Sequence, residues 1–184
     1  PAAQAPAQFT VAVLGDSLGQ MLGQGLQEAF AERPDISLLR KARENTGLVR
    51  DDYFDWPKAV RELLASDEKI NLAIIVVGSN DRQQIRDGQT YLELYSPRWT
   101  ELYTARVAAI AEAFHARDIR LVWVGLPIMK SANMSHGATI VNEIGAHVYG
   151  PQAALGRHLI DAITGRDDAM RQAADLAGVD PAKT

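Results

Sequence analysis

A serine hydroxyl becomes a nucleophile when a sharp turn exposes it beside backbone N–H groups that can hold an anion, and Gly15-Asp16-Ser17-Leu18 has the make-up of such a turn. The same serine opens Ser17-Leu18-Gly19-Gln20, which satisfies the S-x-x-Q capping box, so a purely structural role as a helix cap competes with catalysis. Gly78-Ser79-Asn80-Asp81 offers a side-chain amide able to donate to a developing oxyanion, although Asn and Asp also serve as ordinary turn and cap residues. In Asn45-Thr46-Gly47-Leu48 the glycine lets a backbone N–H come close to a ligand. Each segment alone is ambiguous; the three together are far more specific.

These segments gain meaning from the elements before them. Phe9 to Gly15 is a short apolar run rich in β-formers, followed at helical spacing by Leu18, Met21, Leu22, Leu26, Ala29 and Phe30. Ile36 to Leu39 reads as a second strand after the Pro34-Asp35 turn, and Asp55-Trp56-Pro57 as the capped start of a helix through Val60, Leu63 and Leu64. Asn71 to Val77 is apolar on both faces, as the centre of a parallel sheet requires. Tyr103, Val107, Ile110 and Phe114 mark a third helix, and Arg120 to Gly125 a fourth strand closed by Leu126-Pro127. The alternation βαβαβαβ predicts an α/β fold: a three-layer, doubly wound parallel sheet with right-handed crossovers. Beyond Asn133, Ile140 to Ile144 reads as the end of a helix, Ala146 to Tyr149 as a brief fifth strand, and Ala153 to Ile163 and Asp168 to Ala177 as helices. Ligands bind at the carboxyl ends of such strands, where all three segments stand.

Length and composition narrow the function. The chain has 184 residues, 47% hydrophobic and 23% charged, which predicts one globular domain over 9–184 behind an Ala/Pro-rich linker at 1–8. A net charge of −4 provides no footprint for nucleic acid, and no apolar run approaches the roughly 20 residues that span a bilayer. Without cysteine there is no thiolate chemistry. The histidines lack ligand spacing, and no H-E-x-x-H, G-x-G-x-x-G or Walker loop is present, so neither metal nor cofactor is expected. The uncharged Pro1 to Gln8 opening points to an exported protein, periplasmic or secreted.

The three blocks resemble those of the SGNH, or GDSL, esterase and lipase superfamily. Gly15-Asp16-Ser17-Leu18, Gly47 and Gly78-Ser79-Asn80-Asp81 stand in the family's order and on its elements. The stretch Asn45 to Pro57, with Val124-Gly125-Leu126-Pro127, is similar to a bacterial, generally exported branch catalogued as a domain of unknown function. The likeness covers roughly Phe9 to Asn142 and implies a flavodoxin-like sheet of the SGNH-hydrolase type. It further implies Ser17 as nucleophile, with an oxyanion hole made of the Ser17 and Gly47 N–H groups and the Asn80 amide.

The superfamily's last block, Asp-x-x-His, is absent. Three residues before His115, His136, His147 and His158 stand Glu112, Asn133, Ile144 and Leu155. Glu112-x-x-His115 has the spacing but falls on the third helix, where a solvated i,i+3 pair is expected. Gly156-Arg157-His158-Leu159 resembles part of the missing block, so His158 is the first candidate for the base, with Asp161 as a substitute orienter and His147 as second choice. Loss of a correctly orienting carboxylate costs triad hydrolases about 10⁴ in turnover.

The resulting expectation is a serine ester hydrolase for short acyl groups, with an O-acetylated cell-envelope saccharide as the guess within that class. The alternatives are a catalytically impaired binding module for envelope glycan or protein, and an O-acyltransferase. Tyr53, Phe54, Trp56, Tyr91, Tyr95 and Trp99 either flank the crevice, where rings stack on sugars, or belong to core and rim. Arg50, Arg82 and Arg86 either hold an anionic group or are solvated charges.

Overall fold

The computed structural model describes residues 9–126 and the strand Ala162–Thr164. Strand β1 (Phe9–Gly15) runs into α1 (Ser17–Ala29), then β2 (Ile36–Arg40), α2 (Trp56–Ala65) and β3 (Leu72–Val76). A hairpin, β4 (Ile85–Asp87) and β5 (Thr90–Leu92), precedes α3 (Pro97–His115), β6 (Arg120–Val124) and β7 (Ala162–Thr164).

The main sheet is parallel, in the order β2-β1-β3-β6-β7. This is the doubly wound, flavodoxin-like order, and all four strands expected between residues 9 and 125 are present. Helix α1 lies against β1 and β2, while α2 and α3 pack on each other; right-handed crossovers put that pair on the opposite face. Every residue of β3 is buried, as befits a strand covered on both sides. Trp56, Trp99, Tyr103 and Phe114 are the largest side chains wholly inside the core. Among the described residues no helix is long and apolar enough to cross a membrane.

Two features depart from expectation. The β4–β5 hairpin closes through a two-residue loop, Gly88-Gln89, whose first residue is at φ 63°, the geometry for which a glycine is suited. Its three-residue strands are too short to show alternation. At the other end, Ala162 and Ile163, expected to finish a helix, instead pair with Val122 and Trp123 at the sheet edge. Strand pairing there overrides a local helical pattern. The expected strand at Ala146 to Tyr149 lies outside the described residues, as does the 1–8 linker.

The chain direction reverses around β1: the first crossover leads outward to β2, the second returns across to β3. The crevice at such a switch point opens at the carboxyl ends of β1 and β3, whose last paired residues, Gly15 and Val76, are level.

Candidate functional site

The turn after β1 is built around a glycine and a buried aspartate. Gly15 has φ 133°, and a Cβ there would sit 1.8 Å from the Val76 carbonyl oxygen. Only glycine permits β1 to turn this sharply against β3. Asp16 follows as the N-cap of α1, its Oδ1 accepting from Leu18 N at 2.9 Å. Capping therefore falls to Asp16, and Ser17 is the first residue inside the helix; the capping-box reading of Ser17 is off by one residue. Both are good cap formers, and the extended backbone of Asp16 (φ −86°, ψ −150°) decides between them.

Asp16 also spans the switch point. Its Oδ2 accepts from Gly78 N (3.0 Å), Ser79 N (2.9 Å) and the Ser79 hydroxyl (2.7 Å), so the loop after β3 is tied directly to the turn after β1. Ser17 is left half-buried at the helix start, where the first N–H groups have no intrahelical acceptor. Its Oγ meets the Asn45 N–H at a long 3.5 Å.

After β2 the chain stays beside β1, with Lys41 N and Arg43 N donating to Val13 O and Gly15 O, both at 2.8 Å. That brings Asn45-Thr46-Gly47 alongside Ser17. Buried Thr46 donates its hydroxyl to Arg43 O (2.7 Å) and accepts from Trp56 Nε1 (3.1 Å). The Asn80 amide donates to Thr46 O at 2.8 Å, which ties the loop after β3 to the loop after β2. Its second N–H remains for another acceptor. Ser17, Gly47 and Asn80 thus stand in one hydrogen-bonded cluster at the carboxyl edge, and Gly47 N–H has no acceptor among the described residues.

Gly47 is small for a reason other than ligand approach. A Cβ on it would come 2.1 Å from Asp81 Oδ1. The Asp81 carboxylate is buried and accepts from Leu48 N (2.7 Å) and Val49 N (3.2 Å) on Oδ1 and from the Tyr103 hydroxyl (3.0 Å) on Oδ2. Burial pushes its pKa up to about 6, against the pull of those three donors. The Tyr103 hydroxyl is likewise raised well above the usual tyrosine value, by burial first and then by the Asp81 charge.

The remaining candidates sort cleanly. His158, His147, His136 and Asp161 lie outside the described residues. His115 ends α3 just ahead of Arg120, whose partner is the first residue of β3, so Glu112 and His115 belong to the opposite, amino edge of the sheet. Trp56 and Trp99 are core residues that spend their indole N–H groups on Thr46 Oγ1 and Gln83 O, and neither flanks the crevice. Phe54 is held between the edge of Trp56 and the Arg43 guanidinium, and Tyr95 packs edge-on against Trp99. Tyr53 and Tyr91 are exposed, at 54% and 62%. Arg50 forms a two-pronged pair with Asp52, Arg86 donates to Gly88 O, and Arg82 lies by the Tyr95 hydroxyl. Asp16, Thr46 and Asp81 fall inside the three blocks but have no role assignable from the sequence beyond turn and cap chemistry, and Tyr103 reads there only as a helix residue. Among the described residues no group of three or more His, Asp or Glu is placed to hold a metal ion.

A family model described as "Protein of unknown function (DUF459)" matches residues 10–168. No curated protein matches the chain. Among solved structures, that of AlinE4, an SGNH-hydrolase family esterase, is similar with a TM-score of 0.53 at 16% identity, over 95% of this chain and 84% of that one. The psychrotrophic esterase EstA from Pseudoalteromonas sp., inhibited by monoethylphosphonate, has a TM-score of 0.50 at 17% identity, over 85% and 76%. LAE5, an alpha/beta hydrolase enzyme from the metagenome of Lake Arreo, Spain, has a TM-score of 0.50 at 18% identity, over 85% and 77%. At these identities the likeness establishes a shared fold.

Proposed function

Because the chain belongs to the DUF459 family and has the SGNH-hydrolase fold, we propose that it is a serine ester hydrolase for short acyl groups. The observation that carries this reading is the release of Ser17 from capping. Asp16 caps α1, so the neighbouring hydroxyl stands at the helix start with only a long contact to Asn45, beside Gly47 and Asn80.

In the proposed cycle Ser17 Oγ attacks the ester carbonyl carbon while its proton passes to the base, for which we put forward His158. The carbonyl π pair moves onto oxygen, and the oxyanion is held by Ser17 N–H, Gly47 N–H and the free N–H of Asn80. One such donor is worth about 10²–10³ in turnover. Collapse expels the alcohol, which takes the proton back from the imidazolium, and water then releases the acyl group by the same steps. Asp161 is the proposed orienter of His158. Exposed Tyr53 and Tyr91 support a saccharide as the acyl carrier, since such rings stack on sugar faces, and an O-acetyl group of the cell envelope is the proposed substrate.

Hydrolysis of p-nitrophenyl acetate at about pH 8 by the purified chain, Ser17→Ala and His158→Ala tests the reading. Loss of turnover in both variants is the expected result. Loss in Ser17→Ala alone moves the base to His147. Turnover untouched by Ser17→Ala, or absent throughout, favours the binding module, which the missing Asp-x-x-His carboxylate would suit.

A further inference from the structure

Oxyanion donors work because they are held in place before the charge develops. The segment Thr46-Gly47-Leu48-Val49 is held on both sides of Gly47, whose own N–H has no acceptor among the described residues. Thr46 O is taken by Asn80, Leu48 O by Arg106 Nη1 (2.6 Å), and the Leu48 and Val49 N–H groups by Asp81 Oδ1. Asp81 follows Asn80 directly, so a single dipeptide touches the loop from two sides. The missing side chain at Gly47 is what lets the carboxylate reach it. We propose that Asp81 is a positioning residue for the ester chemistry, fixing the Leu48 peptide and thereby aiming the Gly47 N–H into the crevice. This inference rests on the serine esterase reading and deepens it.

The carboxylate accepts charge-assisted bonds in a dry setting, and these are roughly twice as strong as neutral ones. Protonation places a hydrogen on Oδ2, which then donates to Tyr103 Oη; Oδ1 still faces Leu48 and Val49, but without the charge. The loop grip therefore weakens as Asp81 takes up a proton. The groups facing it are the Tyr103 hydroxyl from α3 and, across the switch point, the Asp16 carboxylate, which opposes its ionisation. Arg106 of α3 acts on the same loop through Leu48 O and through its ion pair with Asp51 at 2.6 Å.

Asp81→Asn keeps an acceptor for Leu48 and removes the charge. With p-nitrophenyl acetate we expect kcat to fall roughly 10- to 100-fold with KM within about two-fold, the size expected when a donor is displaced by a fraction of an ångström. The Gly47 amide resonance is expected to shift in this variant. In the wild type the Leu48 and Val49 amides are expected to titrate together near pH 6, with that titration gone in Asp81→Asn. Tyr103→Phe removes a donor that favours the charged form, so it should move the midpoint to higher pH. A kcat within about two-fold of wild type in Asp81→Asn, or an unmoved Gly47 resonance, overturns the proposal. If Asp81→Asn does not fold, the Tyr103→Phe midpoint decides, and an unchanged or lowered value overturns it. Failure of the esterase reading is recognised separately, by Ser17→Ala retaining full turnover; the amide titrations then decide the positioning role alone.

Discussion

At the amino edge of the sheet β1 and β3 are joined by Asn71, whose N–H donates to Thr10 O at 2.9 Å and whose Oδ1 accepts from Thr10 N at 2.8 Å, in an exposed setting. At the carboxyl edge the same two strands are joined through Asp16, wholly buried, with one oxygen on Leu18 N and the other on three donors of the Gly78-Ser79 loop. Water can replace the first tie at small cost. It does not reach the Asp16 carboxylate in the second, where removing the side chain strands the buried Gly78 N–H and the part-buried N–H groups of Leu18 and Ser79. The strand pair is thus forgiving at its amino end and brittle at the end that carries Ser17.

The comparison breaks most visibly at Gly15. Gly15→Ala drives a Cβ into the Val76 carbonyl at a left-handed φ, and an expected loss of about 5 kcal/mol, enough to unfold a marginal domain, should be seen as loss of a cooperative urea transition. Asp16→Ala comes next, at about 3–4 kcal/mol by urea denaturation, because it removes the cap of α1 and leaves Gly78 N and Ser79 N unpaired.

Asp81 gives a pH signature of smaller size. Its folded pKa of about 6 lies above the unfolded value near 3.9, so the folded state binds more protons between the two. This group's contribution is therefore most favourable below about pH 4 and falls by roughly 2–3 kcal/mol as pH rises through 6. Asp81→Asn should flatten that part of the stability profile, measured by urea melts at several pH values; an unaltered slope would contradict the burial argument. Asn71→Ala, at the forgiving edge, should cost only about 0.5–1 kcal/mol and leave ester turnover within two-fold.

How much of this was legible beforehand depends on the distance over which each feature is specified. Phe9–Gly15 and Leu72–Val76 announce themselves because a buried parallel strand is apolar along its own length. The blocks holding Ser17, Gly47 and Asn80 were also readable, since their placement after strands follows from local order. The cap of α1 is not decided by residue type, because Asp16 and Ser17 are both good caps and only the backbone dihedrals separate them. Asp81 reads in the sequence as a turn residue: its partners Leu48, Val49 and Tyr103 lie 33, 32 and 22 positions away, and nothing in a single sequence pairs them. Likewise Ala162–Thr164 became a strand through its neighbour β6, not through its own pattern.

The tie from Asp16 to the loop after β3 spans 62 and 63 residues, and this sets an order of events during synthesis. A nascent chain that has released α1 and β2 from the ribosome still holds an aspartate with no donors for one of its oxygens. At the usual ~5–20 residues per second, some 3–12 seconds pass before Gly78 follows Asp16 out. Until then the N-terminal βαβ segment cannot close its most buried charge. The turn that carries Ser17 is therefore synthesised well before it can become rigid, because the last of its ties waits for the loop after β3.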